Sequence, residues 1–300
     1  MRKGNEGLFP EHPFLREVIV LDKKKRKLRN LLMATLLVRK KKYDCIVNIN
    51  RFASSGIITF FSGAKEKIGF DKNPFSFCFN KKIKHKIEKN LHETDRNHSL
   101  IKNFTDNNPA LPRIYPSEAD FNSIQIKFDT ELKFSSFPYF CLAPASVWFT
   151  KQLPKEKWIQ LLKKLDNNFP VFLIGGKNDF SFCEDILKSV KQEFGSKKIS
   201  IFNWAGKFTL LETAALMKNA KMNFVNDSGP LHIASAMNAP VTVVYCSTVP
   251  DFGFGPLSDD LKILETKKKL DCRPCGLHGH RACPKGHYEC AMTIEFDEIS

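Results

Sequence analysis

Short apolar runs that alternate with amphipathic helical stretches predict an α/β protein built from two doubly wound parallel sheets. Three observations carry the prediction. Residues 17–21 (E-V-I-V-L) and 43–49 (Y-D-C-I-V-N-I) read as buried strands, and residues 27–38 between them set Leu28, Leu31, Leu32 and Leu36 at helical spacing. The second half repeats a strand–helix unit. A polar run, Asn226-Asp227-Ser228-Gly229, falls where one such strand turns into a helix.

The elements follow in order. Residues 72–137 are less regular, rich in Asn, Lys and Phe, with Pro109, Pro112 and Pro116 marking loops. Phe137-Pro138 is the expected boundary between an N-terminal domain, 1–137, and a C-terminal one, 138–300. Beyond it, F-C-L-A-P (140–144) is a strand and 154–165 a helix, with Pro154 suited to its first turn. V-F-L-I-G-G (171–176) is a strand ending in glycines, and 180–193 is helical. Thr209 and Glu212 form a capping box that opens a helix reaching about Asn219. M-N-F-V-N (222–226) is a strand, 230–237 a short helix, and V-T-V-V-Y (241–245) a strand.

Composition narrows the function classes. Lys+Arg 47 against Asp+Glu 32 gives a net charge of +15, which suits an anionic partner: nucleic acid, an acidic membrane face or a phosphorylated substrate. No apolar run reaches the roughly 18 residues of a membrane span, and the N-terminus has no apolar signal core, so the expectation is a cytoplasmic protein. Nine cysteines, an odd number, argue against a disulfide framework. Cys45, Cys78, Cys141, Cys183 and Cys246 read as small buried residues.

The run at 226–229 has a physical reading. A helix that starts at the end of a parallel strand leaves amide groups unpaired there, and their partial positive charge suits anions. Gly229 lets a ligand approach the backbone, Pro230 fits the first helical position, and Ser228 or Asp227 can cap the turn. The Asp227 carboxylate would repel phosphate and suits sugar hydroxyls better. An ordinary capped helix would carry the same residues. Ser146, Thr150 and Lys151 follow the strand at 140–144 and so reach the same sheet edge, where a lysine neutralises a diphosphate or is simply solvated. Gly175-Gly176, with Asn178-Asp179, lies at that edge too and could reach a ribose.

Those segments resemble glycosyltransferase family 9, the lipopolysaccharide heptosyltransferases. The matching pieces are A-S-x-W-x-T-K-x-x-P (145–154), L-I-G-G-x-x-D (173–179), W-A-G-K-F-T-L-L-E (204–212) and N-D-S-G-P-L-H-I-A-S-A (226–236). The tail at 270–291 looks most like the heptosyltransferase II branch, and 43–51 and 62–71 match more weakly. The resemblance implies a GT-B fold, with two Rossmann-like domains facing across a cleft. It implies an inverting, metal-independent enzyme without a cofactor that uses an ADP-activated heptose. By the same resemblance Thr150 and Lys151 contact the donor phosphates, with Ser146 beside them. Ser228, Gly229, Pro230 and Leu231 offer the helix start to the pyrophosphate. Asp227 holds sugar hydroxyls, His232 sits beside the phosphates, Asp179 binds ribose and Phe208 lies near adenine. The acceptor is the phosphorylated inner core of lipopolysaccharide, an anionic glycolipid. Arg51, Ser54 and Ser55 are the candidates to contact it.

The family opens with a strand, a Gly-Asp turn and a helix, and that aspartate is its general base. The chain has no counterpart, so the N-terminal domain is expected to be incomplete by about one β-α unit and the catalytic residue is unassigned. Asp22 and Asp44 flank strands as structural residues. General-base help is worth roughly 10² to 10⁴ in rate. Two expectations follow: a fragment of an active transferase, or an impaired relative that binds nucleotide or anionic lipid without turnover.

Residues 23–42 hold ten basic side chains and no acidic one. The apolar side of this helix is expected to pack inward while its lysines face an anionic leaflet, placing a monomeric enzyme at the cytoplasmic face of the inner membrane. Nucleic acid is not an expected partner, since no recognition motif accompanies the charge. His92, Arg96 and His98 read as helix-cap and surface residues. Cys272, Cys275, Cys283 and Cys290, with His278, His280 and His287 among them, could hold zinc, form a local thiol cluster or exchange disulfides.

Overall fold

The computed structural model describes residues 1–132, 137–194, 200–297 and 299. The chain divides into two compact units, Met1–Leu111 and Pro112–Ser300.

The first unit is built on a three-stranded parallel sheet, β1 (Cys45–Asn48), β2 (Glu66–Phe70) and β3 (Lys81–Ile83), in the order β1-β2-β3. Its helices are α1 (Lys27–Lys40), α2 (Ala53–Phe61) and α3 (Glu93–Ser99). Leu31 and Ala34 of α1 pack with Leu21 against Ile57 and Ile58 of α2. The remaining leucines of α1 do not turn inward as the sequence suggested: Leu28 is 80% exposed and Leu32 58%. The expected strand at 17–21 also fails to form. Among the described residues only Leu21 bridges, to Arg2, because a strand is a collective property and no described strand runs beside the rest of this apolar run. Arg96 is a third departure. It is 3% exposed rather than on the surface, and its guanidinium is held by Glu93 and the Leu91 carbonyl.

The second unit carries a six-stranded, wholly parallel sheet. Its strands are β4 (Phe140–Ala143), β5 (Val171–Leu173), β6 (Ile201–Asn203), β7 (Met222–Asn226), β8 (Val241–Tyr245) and β9 (Leu261–Glu265). They lie in the order β6-β5-β4-β7-β8-β9. Counted within the unit this is 3-2-1-4-5-6, the doubly wound Rossmann order. Residues along each strand alternate between two cores. Phe140, Leu142, Val171, Leu173 and Phe224 face one core, with Trp158, Leu161 and Leu162 of α5 (Lys155–Lys164) and Ile186 and Val190 of α6 (Phe180–Phe194). Cys141, Phe172, Val225 and Val243 face the other. There they meet Ile124 and Phe128 of α4 (Glu118–Glu131), Leu216 of α7 (Leu210–Lys218) and Leu231 of α8 (Gly229–Met237). α4 precedes Phe137-Pro138 in sequence but packs on α7 within this second unit. The Thr209–Glu212 capping box forms as expected, with Thr209 N–H donating to Glu212 at 2.7 Å. A short helix, α9 (Glu289–Met292), closes the tail and buries Cys290 and Ala291 in the first of the two cores.

Candidate functional site

The Rossmann order places a switch point between β4 and β7, the adjacent strands whose following connections diverge to opposite sides of the sheet. Two segments that carry candidate site residues leave the sheet there. After β4, residues 144–148 lead into a 3-10 turn, Phe149–Lys151. After β7, Asp227 and Ser228 lead into α8. Asn226, fully buried, ties the two together: its Oδ1 accepts from Leu153 N–H at 2.9 Å and its Nδ2 donates to the Pro144 carbonyl at 2.8 Å.

At this point Lys151 Nζ lies 2.6 Å from Asp227 Oδ2. Thr248, from the loop after β8, donates its hydroxyl to the same Oδ2 at 2.6 Å. The lysine has therefore not turned into water, and its side chain is 15% exposed. Ser228 occupies the N-cap position of α8 but makes no capping bond, and its buried Oγ has no hydrogen-bond partner. Pro230 sits in the first turn, as expected. A Cβ added at Gly229 would meet nothing within 4 Å, so the space at the helix start is open to a ligand. Leu231 is buried in the core and can offer a site only its backbone, whose N–H already donates to the Ser228 carbonyl at 3.1 Å. His232 is exposed and its ring lies edge-on to Phe254 at 6.3 Å.

Thr150 has a different position from the one a phosphate contact suggests. It is 1% exposed, and its Oγ1 accepts from His280 N–H at 2.8 Å and from Ser247 Oγ at 3.0 Å. It frames the loop that carries Lys151. Ser146 is half-buried, its backbone N–H donating to Gln152 Oε1. Asp179 caps its own turn by accepting from Gly176 N–H at 2.7 Å. Phe208 packs edge-on to the buried Trp204. In the first unit, Arg51 follows β1 and is half-buried. Ser54 Oγ accepts from Lys23 Nζ, and Ser55 Oγ donates to the Phe52 carbonyl. Burial, and then the nearby Arg51 charge, hold the His85 imidazole below its ordinary value of 6.5.

The cysteine-rich tail lies over the loops of the second unit. Cys272 Sγ is 3.8 Å from His287 Nε2, yet no group of three or more His, Cys, Asp or Glu side chains among the described residues is placed to hold a metal. The zinc reading of Cys272, Cys275, Cys283 and Cys290 thus finds no ligand set. Burial pushes the Cys290 thiol up to about 11 and raises Cys275 as well, so neither is a ready thiolate. Sequence reasoning did not single out Asn226, Ser247 or Thr248, which contact the segments that carry Lys151 and Asp227. Asn226 alone had a local signal, its place at the head of the polar run.

Glycosyltransferase family 9 (heptosyltransferase), as a family model, matches residues 35–284. The chain belongs to this family. Lipopolysaccharide heptosyltransferase 1 of Campylobacter coli is 24% identical over 98% of the chain and 85% of the relative. Lipopolysaccharide heptosyltransferase 2 of Escherichia coli K12 is 24% identical over 76% of the chain and 66% of the relative. In structure, E. coli ADP-heptose LPS heptosyltransferase II superposes with a TM-score of 0.73 at 21% identity, over 90% of the chain and 83% of the other. The heptosyltransferase fold, GT-B-like with a parallel sheet in each unit, is thus shared. Among the described residues of this family 9 chain no helix is long and apolar enough to cross a membrane.

Proposed function

We propose that the chain binds an ADP-activated heptose and transfers the sugar, with inversion, to the phosphorylated inner core of lipopolysaccharide. The observation that carries this reading is the Lys151–Asp227 pair at the switch point beside the start of α8. An entering diphosphate would take the Lys151 ammonium as its counter-ion and leave Asp227 to accept from sugar hydroxyls. Ser228 Oγ, buried and unpartnered, is a hydroxyl in search of such a contact. As the bond from the anomeric carbon to the phosphate oxygen breaks, its electron pair stays with the leaving ADP. The ammonium and the positive end of α8 stabilise that charge without reorganising. Asp179 serves the ribose and Phe208 the adenine, while Arg51 meets acceptor phosphate. The ADP-heptose named for E. coli heptosyltransferase II supports the choice of donor. The basic segment around α1 supports work at an anionic membrane face, here the cytoplasmic side of the inner membrane, where the chain is proposed to act as a monomer.

A second reading, binding without turnover, is favoured by the state of Asp22. Its carboxylate accepts from the Lys24 and Lys25 amides and pairs with Lys3, a structural role. Calorimetric titration with ADP, on the wild type and on Lys151→Ala, tests the first claim. Binding that is lost in the variant supports it, and no binding by the wild type rejects it. Assay of heptose transfer from ADP-heptose then separates the readings: transfer selects the first, and binding without transfer selects the second.

A further inference from the structure

Resting on that donor-site reading, we infer that Arg273, in the cysteine-rich segment, is a positioning residue for the diphosphate site, acting through the loop that follows β8. Its guanidinium grips that loop by backbone alone. Nε donates to the Cys246 carbonyl at 2.8 Å, and one terminal nitrogen donates to the Thr248 carbonyl at 2.9 Å and to the Tyr245 carbonyl at 3.3 Å. Glu265, at the end of β9, holds the same nitrogen from the other side at 2.7 Å. An arginine fork matches several carbonyls at once, which an ammonium on a flexible stem does not.

The gripped loop supports both partners of the ion pair. Thr248 donates to Asp227 Oδ2 at 2.6 Å. Ser247 donates to Thr150, from its N–H to the carbonyl at 3.2 Å and from its hydroxyl to Oγ1 at 3.0 Å, and Thr150 immediately precedes Lys151. The segment around Arg273 adds two more ties. Cys275 N–H donates to the Ser247 carbonyl at 2.7 Å, and the His280 carbonyl accepts from Thr150 N–H at 3.1 Å. Tyr245, Cys246 and Thr248 are buried, so the carbonyls that Arg273 holds lose a charged donor if the guanidinium is removed. The cysteine-rich segment, which holds no metal ligand set among the described residues, thereby gains a physical role. It fixes the ammonium and the carboxylate beside the start of α8, where a diphosphate would exchange with the carboxylate as the ammonium's partner.

The test is ADP affinity by calorimetry on the full chain, with chemical rescue. Arg273→Ala is expected to weaken ADP roughly ten- to a hundred-fold, the range for lost hydrogen bonds to a charged group. Added methylguanidinium is expected to restore much of that loss, which a merely misfolded variant would not permit. Arg273→Lys is expected to keep less than about a tenth of wild-type affinity, since it keeps the charge and loses the fork. Should Arg273→Ala not fold, Thr248→Val cuts the tie between the loop and Asp227 and is expected to reproduce the loss, with Thr248→Ser restoring it. Wild-type affinity in Arg273→Ala, or in Thr248→Val, overturns the inference. An absence of ADP binding by the wild type would instead overturn the donor-site reading on which it rests.

Discussion

Lys151 and Asp227 follow adjacent parallel strands, far apart in sequence, and meet with Nζ 2.6 Å from Oδ2. The aspartate side chain is 7% exposed and the lysine side chain 15%. Breaking such a pair from one side leaves a buried charge with one hydroxyl for company, which costs more than the intact pair contributes. Lys151→Ala should therefore lower unfolding free energy by about 2–4 kcal/mol and also remove ADP binding. The double variant Lys151→Met with Asp227→Leu separates the two effects. Denaturant melts should recover most of the stability, while calorimetry should still find no nucleotide affinity. Recovery of binding in the double variant would show that the pair is structural only.

Gly279 tests how closely the tail fits the site loop. Its φ is +73, a region that side chains disfavour, and an added Cβ would lie 3.0 Å from Thr150 Oγ1 and 3.1 Å from Lys151 Cγ. Gly286 has nearly the same backbone, φ +76, with nothing within 4 Å of its Cβ position. Gly286→Ala should lose about 1 kcal/mol from backbone strain alone and bind ADP like the wild type. Gly279→Ala should lose at least as much stability and, by displacing Lys151, roughly tenfold in ADP affinity, about 1.4 kcal/mol. Equal ADP affinity in the two variants would refute a link between tail and site.

His85 gives a pH signature to the first unit. Burial depresses its ionisation below the ordinary value of 6.5, with the Arg51 charge second, and its ring sits edge-on to Phe70 at 4.8 Å. Its folded-state value is lowered, so below pH 6.5 the unfolded chain binds a proton that the folded chain resists. The stabilisation is whole above 6.5 and declines as pH falls from there through the depressed folded value. The melting temperature should hold above about pH 6.5 and drop as pH falls below it, and His85→Phe should show a shallower drop there. A parallel pH dependence in the two proteins would place the effect elsewhere.

Much of the second unit was legible because its strands are buried on both faces and read as continuous apolar runs, as in 140–143 and 241–245. β6 and β9 escaped notice for the opposite reason. They are edge strands, and I-F-N and L-K-I-L-E carry too short or too mixed a pattern. The run 17–21 has a good strand composition, but among the described residues it forms a single bridge, Leu21 to Arg2. At the site, Lys151 and Asp227 were visible because each follows a strand end. Arg273 and Gly279 were not, since their roles are long-range: Arg273 acts on carbonyls 25 to 28 residues away, and His280, next to Gly279, reaches Thr150 across 130. No local periodicity reports a contact of that span.

The exposed face of α1 makes the membrane proposal measurable. Leu28, Leu32 and Leu36 border a groove of about 410 Å³ shared with Ile57 and Phe61 of α2. Ten basic side chains lie within residues 23–42, although Lys41 is paired with Glu17 and Arg39 donates to the Phe61 carbonyl. Apolar insertion and charge attraction should act together here, each basic group near an anionic surface contributing about 1 kcal/mol. The protein should co-sediment with phosphatidylglycerol vesicles at low salt, much less with phosphatidylcholine vesicles, and less as salt rises and screens the charges. Leu28→Glu with Leu32→Glu should reduce partition to anionic vesicles at least roughly tenfold. Both positions are exposed, at 80% and 58%, so the fold should survive the change, and an unaltered melting curve would confirm that the loss is one of surface affinity. Equal partition to charged and neutral vesicles would remove the electrostatic half of the argument, and wild-type partition in the double variant would remove the apolar half.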